Sequence, residues 1–506
     1  MALLEVKTDK GWVRGIPGGN QMISIFRGIP YAAPPVGENR FKAPRESESW
    51  EGIRECYTFP NISWQERQES EGGGIVANEF YCLDWPRSED CLYLNVWTPA
   101  KSADEKLPVA VYMHGGGYST GYGFLNCYDG EGFGKRGVIF VSINHRLNAF
   151  GFLSHPLLTA EDTEYHSSGN YGILDLIAAL KWVKKNIASF GGDPDKITIF
   201  GQSGGGGKVQ CMLASPLANG LYNRAIMQSG GGLEDPVRES TLADGESFGI
   251  QFFEFMGWKT LEDARSADPE SIINGLKEMS KRAGNPMLTM GRMGPKIDGS
   301  IFPQSVNKTF REGRYPEDVD TMCGCTSQEM YRPDVKLPSI ETVRQQAASY
   351  GEKAELYVKA SHIEDDPEKA LAYYANTFGA MMLSADLAFA ENTLALKRKP
   401  TYVYYLTLVP PGADTAHHSA EHHYVFQTLN RSFRPYSGRD WDLSNQLCDY
   451  WSNFFKTGNP NAEGLPEWTP YTENKPKVMN IDYDLKMIDP PEIDMVKFIK
   501  DFSLGK

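Results

Sequence analysis

The chain has 506 residues, 41% of them hydrophobic and 12% aromatic, which is ample for a packed core. Its net charge of −14, with the acidic residues scattered rather than clustered, argues against nucleic acid and against an anionic membrane surface as partners. No stretch reaches the roughly 18 apolar residues of a membrane span, and Met1–Lys10 lacks the basic start, apolar core and small-residue cleavage site of a signal peptide. Eight cysteines without a Cys-x-x-Cys pair therefore predict reduced thiols, a cytoplasmic location and no metal.

From Met1 to about Phe59 the chain reads as short strands with turns at Gly11, Pro17–Gly19 and Pro34-Pro35. Asn61 to Pro86 is polar and glycine-rich and predicts a surface loop. Leu92–Trp97, Leu107–Met113 and Gly137–Ile143 are short apolar, β-branched runs, expected as buried strands. Leu174–Phe190 carries apolar residues at helical spacing and stops at Gly191-Gly192. Lys196–Phe200 is a further strand, followed at once by Gly201-Gln-Ser-Gly-Gly205, with a helix expected from about Lys208. Ala225–Ser229 predicts the next strand. Residues 230–399 are helix-rich, interrupted by a strand at Asp320–Cys325, and Thr401–Thr407 is a clear late strand. Strands alternating with helices predict the α/β class, with a large, mostly parallel sheet covered on both faces. Although the length allows several domains, one sheet can span it, so we expect a single catalytic domain over 1–506 with helical cap-like insertions at roughly 230–320 and 330–400.

Strand, Gly-x-Ser-x-Gly, helix is the context in which a serine becomes a nucleophile: the turn is so tight that its neighbours need side chains of almost no size, and the Ser203 hydroxyl is lifted out of the sheet. A hydroxyl needs a base to take its proton and donors for the oxyanion. His114-Gly-Gly-Gly117 follows the strand Leu107–Met113, and consecutive glycines there leave bare N–H groups exposed. In a parallel-sheet hydrolase the base comes late in the chain, which leaves His362 and the group His417, His418, His422 and His423 open. Glu329 follows the strand near Met322, where an acid on the site-bearing edge belongs, but it is one of 65 acidic residues. His418-Ser-Ala-Glu421-His422 also matches a His-x-x-Glu-His zinc pattern, in which two histidines on a helix would hold the metal and Glu421 would act as base. That rival leaves the serine turn and the glycine loop unexplained.

Nearly the whole chain resembles the type B carboxylesterases, the family of carboxylesterases, cholinesterases and some fungal lipases. The resemblance rests on Phe26-Arg-Gly-Ile-Pro-Tyr-Ala-Ala-Pro-Pro35, Ser88-Glu-Asp-Cys-Leu-Tyr-Leu-Asn-Val96, Asn144-His-Arg-Leu-Asn-Ala-Phe-Gly-Phe-Leu153, Gly169–Asp175 through Pro194, and Phe200–Gly205. It implies an α/β-hydrolase fold and a serine esterase that needs no cofactor and acts on an ester with an apolar acyl or alcohol part. The implied residues are Ser203 as nucleophile, Glu329 as acid and His418 as base, with Gly116, Gly117 and Gly204 as oxyanion donors. Ser229 is implied to support the acid, His114 to support the glycine loop, and Arg40 and Glu89 to form a structural ion pair. The same machinery serves carbamates, amides and thioesters, and non-catalytic members of the fold exist, though these lose triad residues. The chain departs from the family at Gln202 and Gly204, where Glu and Ala are common. The turn should survive this, but a charge beside the serine is lost. Cys91 matches a cysteine often bridged in secreted members; its usual partner is missing, leaving Cys82 as a substitute. Trp85 lies in the loop that carries the choline-binding tryptophan of cholinesterases but sits closer to Cys91 than that residue does, which disfavours choline esters.

Overall fold

A computed structural model describes residues 2–66, 79–80, 84–234, 239–284, 292–330, 339–363 and 367–506. Its strands are β1 (Glu5–Lys7), β2 (Trp12–Arg14), β3 (Ile16–Pro17), β4 (Ser24–Pro30), β5 (Ile53–Glu55), β6 (Tyr93–Thr98), β7 (Leu107–Met113), β8 (Ile139–Ile143), β9 (Gly192–Gln202), β10 (Arg224–Gln228), β11 (Asp320–Thr326), β12 (Tyr402–Leu406), β13 (Val478–Ile481) and β14 (Lys486–Ile488). β1, β2 and β5 make a small three-stranded sheet, and the rest form an eleven-stranded sheet in the order β14-β13-β12-β11-β10-β9-β7-β8-β6-β4-β3. From β8 through β13 neighbouring strands run parallel; the two edges are antiparallel.

The sheet is covered on both faces because its strands are apolar on both. Along β7, Val109, Val111 and Met113 enter one core, while Ala110 and Tyr112 enter the other; β9 divides the same way, with Ile197 and Ile199 opposed to Phe200. The first core is closed by helices α1 (Tyr171–Asn186), α2 (Gly204–Ala214), α3 (Leu242–Met256), α4 (Pro367–Ala395) and α5 (Asp494–Ser503). The second is closed mainly by the helix Gly438–Thr457, which buries Leu447, Trp451, Phe454 and Phe455. Full burial of one such side chain stabilises the fold by roughly 1.5–3 kcal/mol. No helix among the described residues is long and apolar enough to cross a membrane.

Two buried ion pairs tie the N-terminal strands to this frame. Arg40 grips Glu89 with both prongs, Nε to Oε2 at 2.6 Å and Nη2 to Oε1 at 2.5 Å. Arg146, after β8, holds Asp175 of α1 through its Nε and Nη2 at 2.8 and 2.6 Å, both side chains being almost wholly buried. Burial works against the Arg146 charge, but the Asp175 carboxylate outweighs it and raises the guanidinium pKa.

One expectation shifts. α2 begins at Gly204, immediately after the serine, not near Lys208. Glycine is a poor helix former, but here backbone crowding requires it: a Cβ on Gly205 would overlap the Met113 carbonyl and one on Gly206 the Gly230 carbonyl. The loop expected over Asn61–Pro86 falls partly at 67–78 and 81–83, outside the described residues. Cys82 lies there too, and Cys91 is a buried free thiol.

Candidate active site

Strand register sets the site. Met113 at the end of β7 pairs with Gly201 near the end of β9, so the His114–Tyr118 loop and the serine turn leave the sheet side by side. Gln202 pairs with Gln228, Gln228 with Gly324, and Thr326 with Leu406, which brings the segments after β10, β11 and β12 to the same edge. Ligands bind beyond the carboxyl ends of parallel strands in open α/β sheets. Here a cavity of about 510 Å³ opens at that edge, reached by Ser203, Gly116, Gly117, Gly204, Glu329 and His418.

Ser203 has φ 59° and ψ −127°, a region that residues other than glycine rarely enter. Its N–H donates to the Gln228 carbonyl at 2.8 Å, which fixes the turn to β10. Gly116 and Gly117 have φ values of 87° and 63°, so the loop curls back over the turn. Gly204 packs directly under Gly117: a Cβ at 204 would sit 2.5 Å from Gly117 Cα and N and closer still to its carbonyl oxygen. The glycine at 204 thus does more than preserve the turn. Among the described residues the N–H groups of Gly116, Gly117 and Gly204 are given to no protein acceptor. Unspent donors at a cavity wall are available to an anion.

His418 Nδ1 hydrogen-bonds Glu329 Oε2, and the His418 N–H donates to the Glu329 carbonyl at 2.7 Å, so side chain and backbone are locked to the same partner. Glu329 Oε1 accepts from the Thr326 N–H at 2.8 Å. Burial penalises the imidazolium, yet the Glu329 charge and hydrogen bond outweigh it, and the His418 pKa is raised above 6.5. No hydrogen bond joins Ser203 Oγ to His418 among the described residues, although both line the cavity. The Gln202 amide instead lies beside the imidazole, Nε2 being 3.2 Å from His418 Nε2 and 3.5 Å from Nδ1. A neutral amide therefore stands where the family often has a carboxylate.

The other predicted residues divide. Ser229 lines the cavity, but among the described residues its buried Oγ has no hydrogen-bond partner and is not bonded to Glu329. His114 is buried at the start of the glycine loop, its Nδ1–H donating to the Gly115 carbonyl at 2.8 Å. His417 turns to its own side, with Nδ1 on the His418 carbonyl at 2.9 Å. His362 is remote, 2.8 Å from Asp494 of α5. The zinc pattern does not form on one helix. The helix begins at His422, Ser419 has φ 68°, and His422 Nε2 meets the Tyr112 hydroxyl at 3.1 Å while His418 faces Glu329. Trp85 packs edge-on against Phe124.

Two buried groups were not legible in the sequence. Glu421, read only as a zinc-site base, lies wholly buried behind the imidazole. Its Oε1 accepts from Gln228 Nε2 at 3.2 Å and from the Tyr404 hydroxyl at 3.4 Å, and burial raises its pKa to about 7. Lys208 on α2 is fully buried beneath the glycine loop.

The chain matches the carboxylesterase family over residues 3–499. It is 32% identical to fumonisin B1 esterase of Sphingopyxis macrogoltabida over 93% of this chain and 85% of that protein. It is 31% identical to para-nitrobenzyl esterase of Bacillus subtilis, covering 96% of each. Among solved structures, a thermophilic PNB esterase superposes with a TM-score of 0.85 at 28% identity, covering 99% of both chains.

Proposed function

Because this chain belongs to the carboxylesterase family and is a carboxylic ester hydrolase, we propose that it cleaves small-molecule esters through an acyl-enzyme on Ser203. His418 Nε2 takes the Ser203 proton as Oγ attacks the ester carbonyl. The developing oxyanion is held by the N–H groups of Gly116, Gly117 and Gly204. Glu329 keeps the Nδ1 proton in place and stabilises the imidazolium. His418 then gives its proton to the leaving alcohol, and water repeats the sequence to release the acid. The Ser203 Oγ to His418 contact is completed when substrate fills the cavity, as catalytic hydrogen bonds are often loose in free enzymes. Gln202 then has to yield the Nε2 lone pair to the serine. We assign Ser229 and His114 as supporting residues, the first in the cavity wall and the second at the root of the glycine loop.

The observation that carries this reading is the convergence of a strained serine, three unspent N–H groups and a carboxylate-bound histidine on one cavity. Its wall includes Tyr118, Leu125, Tyr128 and Met382, which supports an apolar acyl or alcohol part. Met382 comes from α4, which supports treating 1–506 as one catalytic unit with helical insertions that shape the pocket. Ser203→Ala should abolish hydrolysis of p-nitrophenyl acetate with the thermal melt unchanged, and a serine-directed phosphonate should label Ser203 in the wild type. Near-wild-type turnover in Ser203→Ala refutes the assignment.

A further inference from the structure

Lys208 is buried, and among the described residues it has no counter-ion. It sits on α2 with no exposed surface, and among the described residues no carboxylate pairs with it. Its Nζ donates to the His114 carbonyl at 2.7 Å and lies 5.7 Å from the centre of the Tyr118 ring. These two residues are the first and last of His114-Gly-Gly-Gly-Tyr118, so one side chain grips both ends of the segment that carries the Gly116 and Gly117 N–H groups. A buried, unpaired ammonium costs several kcal/mol and survives where the fold requires its charge or its grip.

The surroundings concentrate that charge. His114 and His145, from the ends of β7 and β8, stack with ring centres 4.8 Å apart. Each gives its Nδ1–H to a backbone carbonyl at 2.8 Å, and each leaves Nε2 without a partner among the described residues. Burial first, and the Lys208 charge second, holds both well below 6.5, so they are neutral. Tyr118 donates towards Cys211 Sγ at 3.9 Å, and burial pushes both groups up, so these are neutral as well. The Glu234 carboxylate acts on Tyr118 and Cys211. The acidic group that acts on the ammonium is the Cys211 thiol of its own helix, and burial keeps that thiol neutral.

We infer that Lys208 is a positioning residue for the oxyanion loop: its ammonium clamps His114 and Tyr118 from behind and sets a buried positive charge next to the glycine N–H groups. This rests on the esterase reading above. A preorganised cation in a water-poor site acts on charge that develops in the transition state more than on the neutral substrate. Burial also lowers the Lys208 pKa to about 7, so the charge is lost as pH rises through neutrality.

Two limbs should therefore bound the kcat/KM profile of p-nitrophenyl acetate followed in a pH-stat. It rises as His418 loses its proton and falls as Lys208 loses its own. Lys208→Met keeps the side-chain length and removes the charge. We expect kcat to fall on the order of 10-fold with KM nearly unchanged, less than the loss of a direct oxyanion donor, and we expect the descending limb near neutrality to vanish. A purely structural lysine would lower the amount of active protein without changing the profile's shape. A Lys208→Met enzyme with the wild-type profile overturns the inference. Should that variant not fold, Lys208→Arg decides: it holds its charge at every working pH, so loss of the descending limb supports the inference and a wild-type profile overturns it. Phosphonate labelling separates the two claims. If wild-type Ser203 is labelled but the profile is unaltered by Lys208→Met, only the lysine role fails; if Ser203 is neither labelled nor needed, both fail.

Discussion

Gly204→Ala probes the oxyanion loop with a single methyl group. The added Cβ would lie 2.5 Å from Gly117 Cα and N, where apolar contacts settle at about 3.5–4.0 Å. Gly204 cannot retreat easily, because Gly205 behind it is already against the Met113 carbonyl. Gly117 must therefore move by about 1 Å, and it carries one of the proposed donors. A misplacement of that size costs roughly 100-fold, and outright loss of one donor costs roughly 10²–10³. We expect kcat to fall about 100-fold, near 2.7 kcal/mol of barrier. The helix itself gains from alanine by up to about 1 kcal/mol, which offsets part of the roughly 1–3 kcal/mol that the overlap costs, so the melting temperature should fall by a few degrees at most. The assay is kcat and KM for p-nitrophenyl acetate beside a thermal melt. Lost turnover with retained stability supports the geometry. A kcat within about threefold of wild type refutes it, because either the Gly117 N–H is not a donor or the loop shifts freely. The substitution also has comparative meaning, since alanine is common here in the family. Its cost in this chain measures how closely the loop has settled onto glycine.

Two further substitutions test other links. Glu329→Gln removes the carboxylate that raises the His418 pKa and leaves burial, which lowers it. The ascending limb of kcat/KM should move to lower pH while kcat falls by up to about 10⁴; an unmoved midpoint would show that Glu329 does not set the base. Asp175→Asn strips the buried carboxylate from Arg146 and leaves its guanidinium, among the described residues, the Lys42 carbonyl at 2.7 Å from Nη1 and the Tyr171 ring 5.5 Å away. Stability in urea should drop by roughly 3–5 kcal/mol, and an unchanged midpoint would mean that water reaches the guanidinium.

The parts of the site carried by backbone pattern were legible in the sequence, and those carried by side-chain direction were not. β7, β9 and β10 are runs of β-branched and aromatic residues, and their apolar text on both faces marks buried parallel strands. The glycine loop and the serine turn follow them directly, so their place on the sheet edge was predictable. The start of α2 was not, because four glycines in a row at 204–207 read as a break. Only the overlap with Met113 and Gly230 shows why no side chain fits there. Glu329 could be chosen from 65 acidic residues only by family spacing, since the contacts that select it, to the His418 imidazole and backbone, come from chain 89 residues away. β13 and β14 are short and lie at the edge, and carried too little period to be read. Lys208 is the sharpest case. In sequence it is one more cation on a helix, and the ordinary expectation is solvent. What makes it informative is that the fold buries it completely and leaves the ammonium, among the described residues, one carbonyl and one ring. A lone charge becomes a statement about function only when the surroundings supply no other reason to keep it, and that judgement requires the whole neighbourhood.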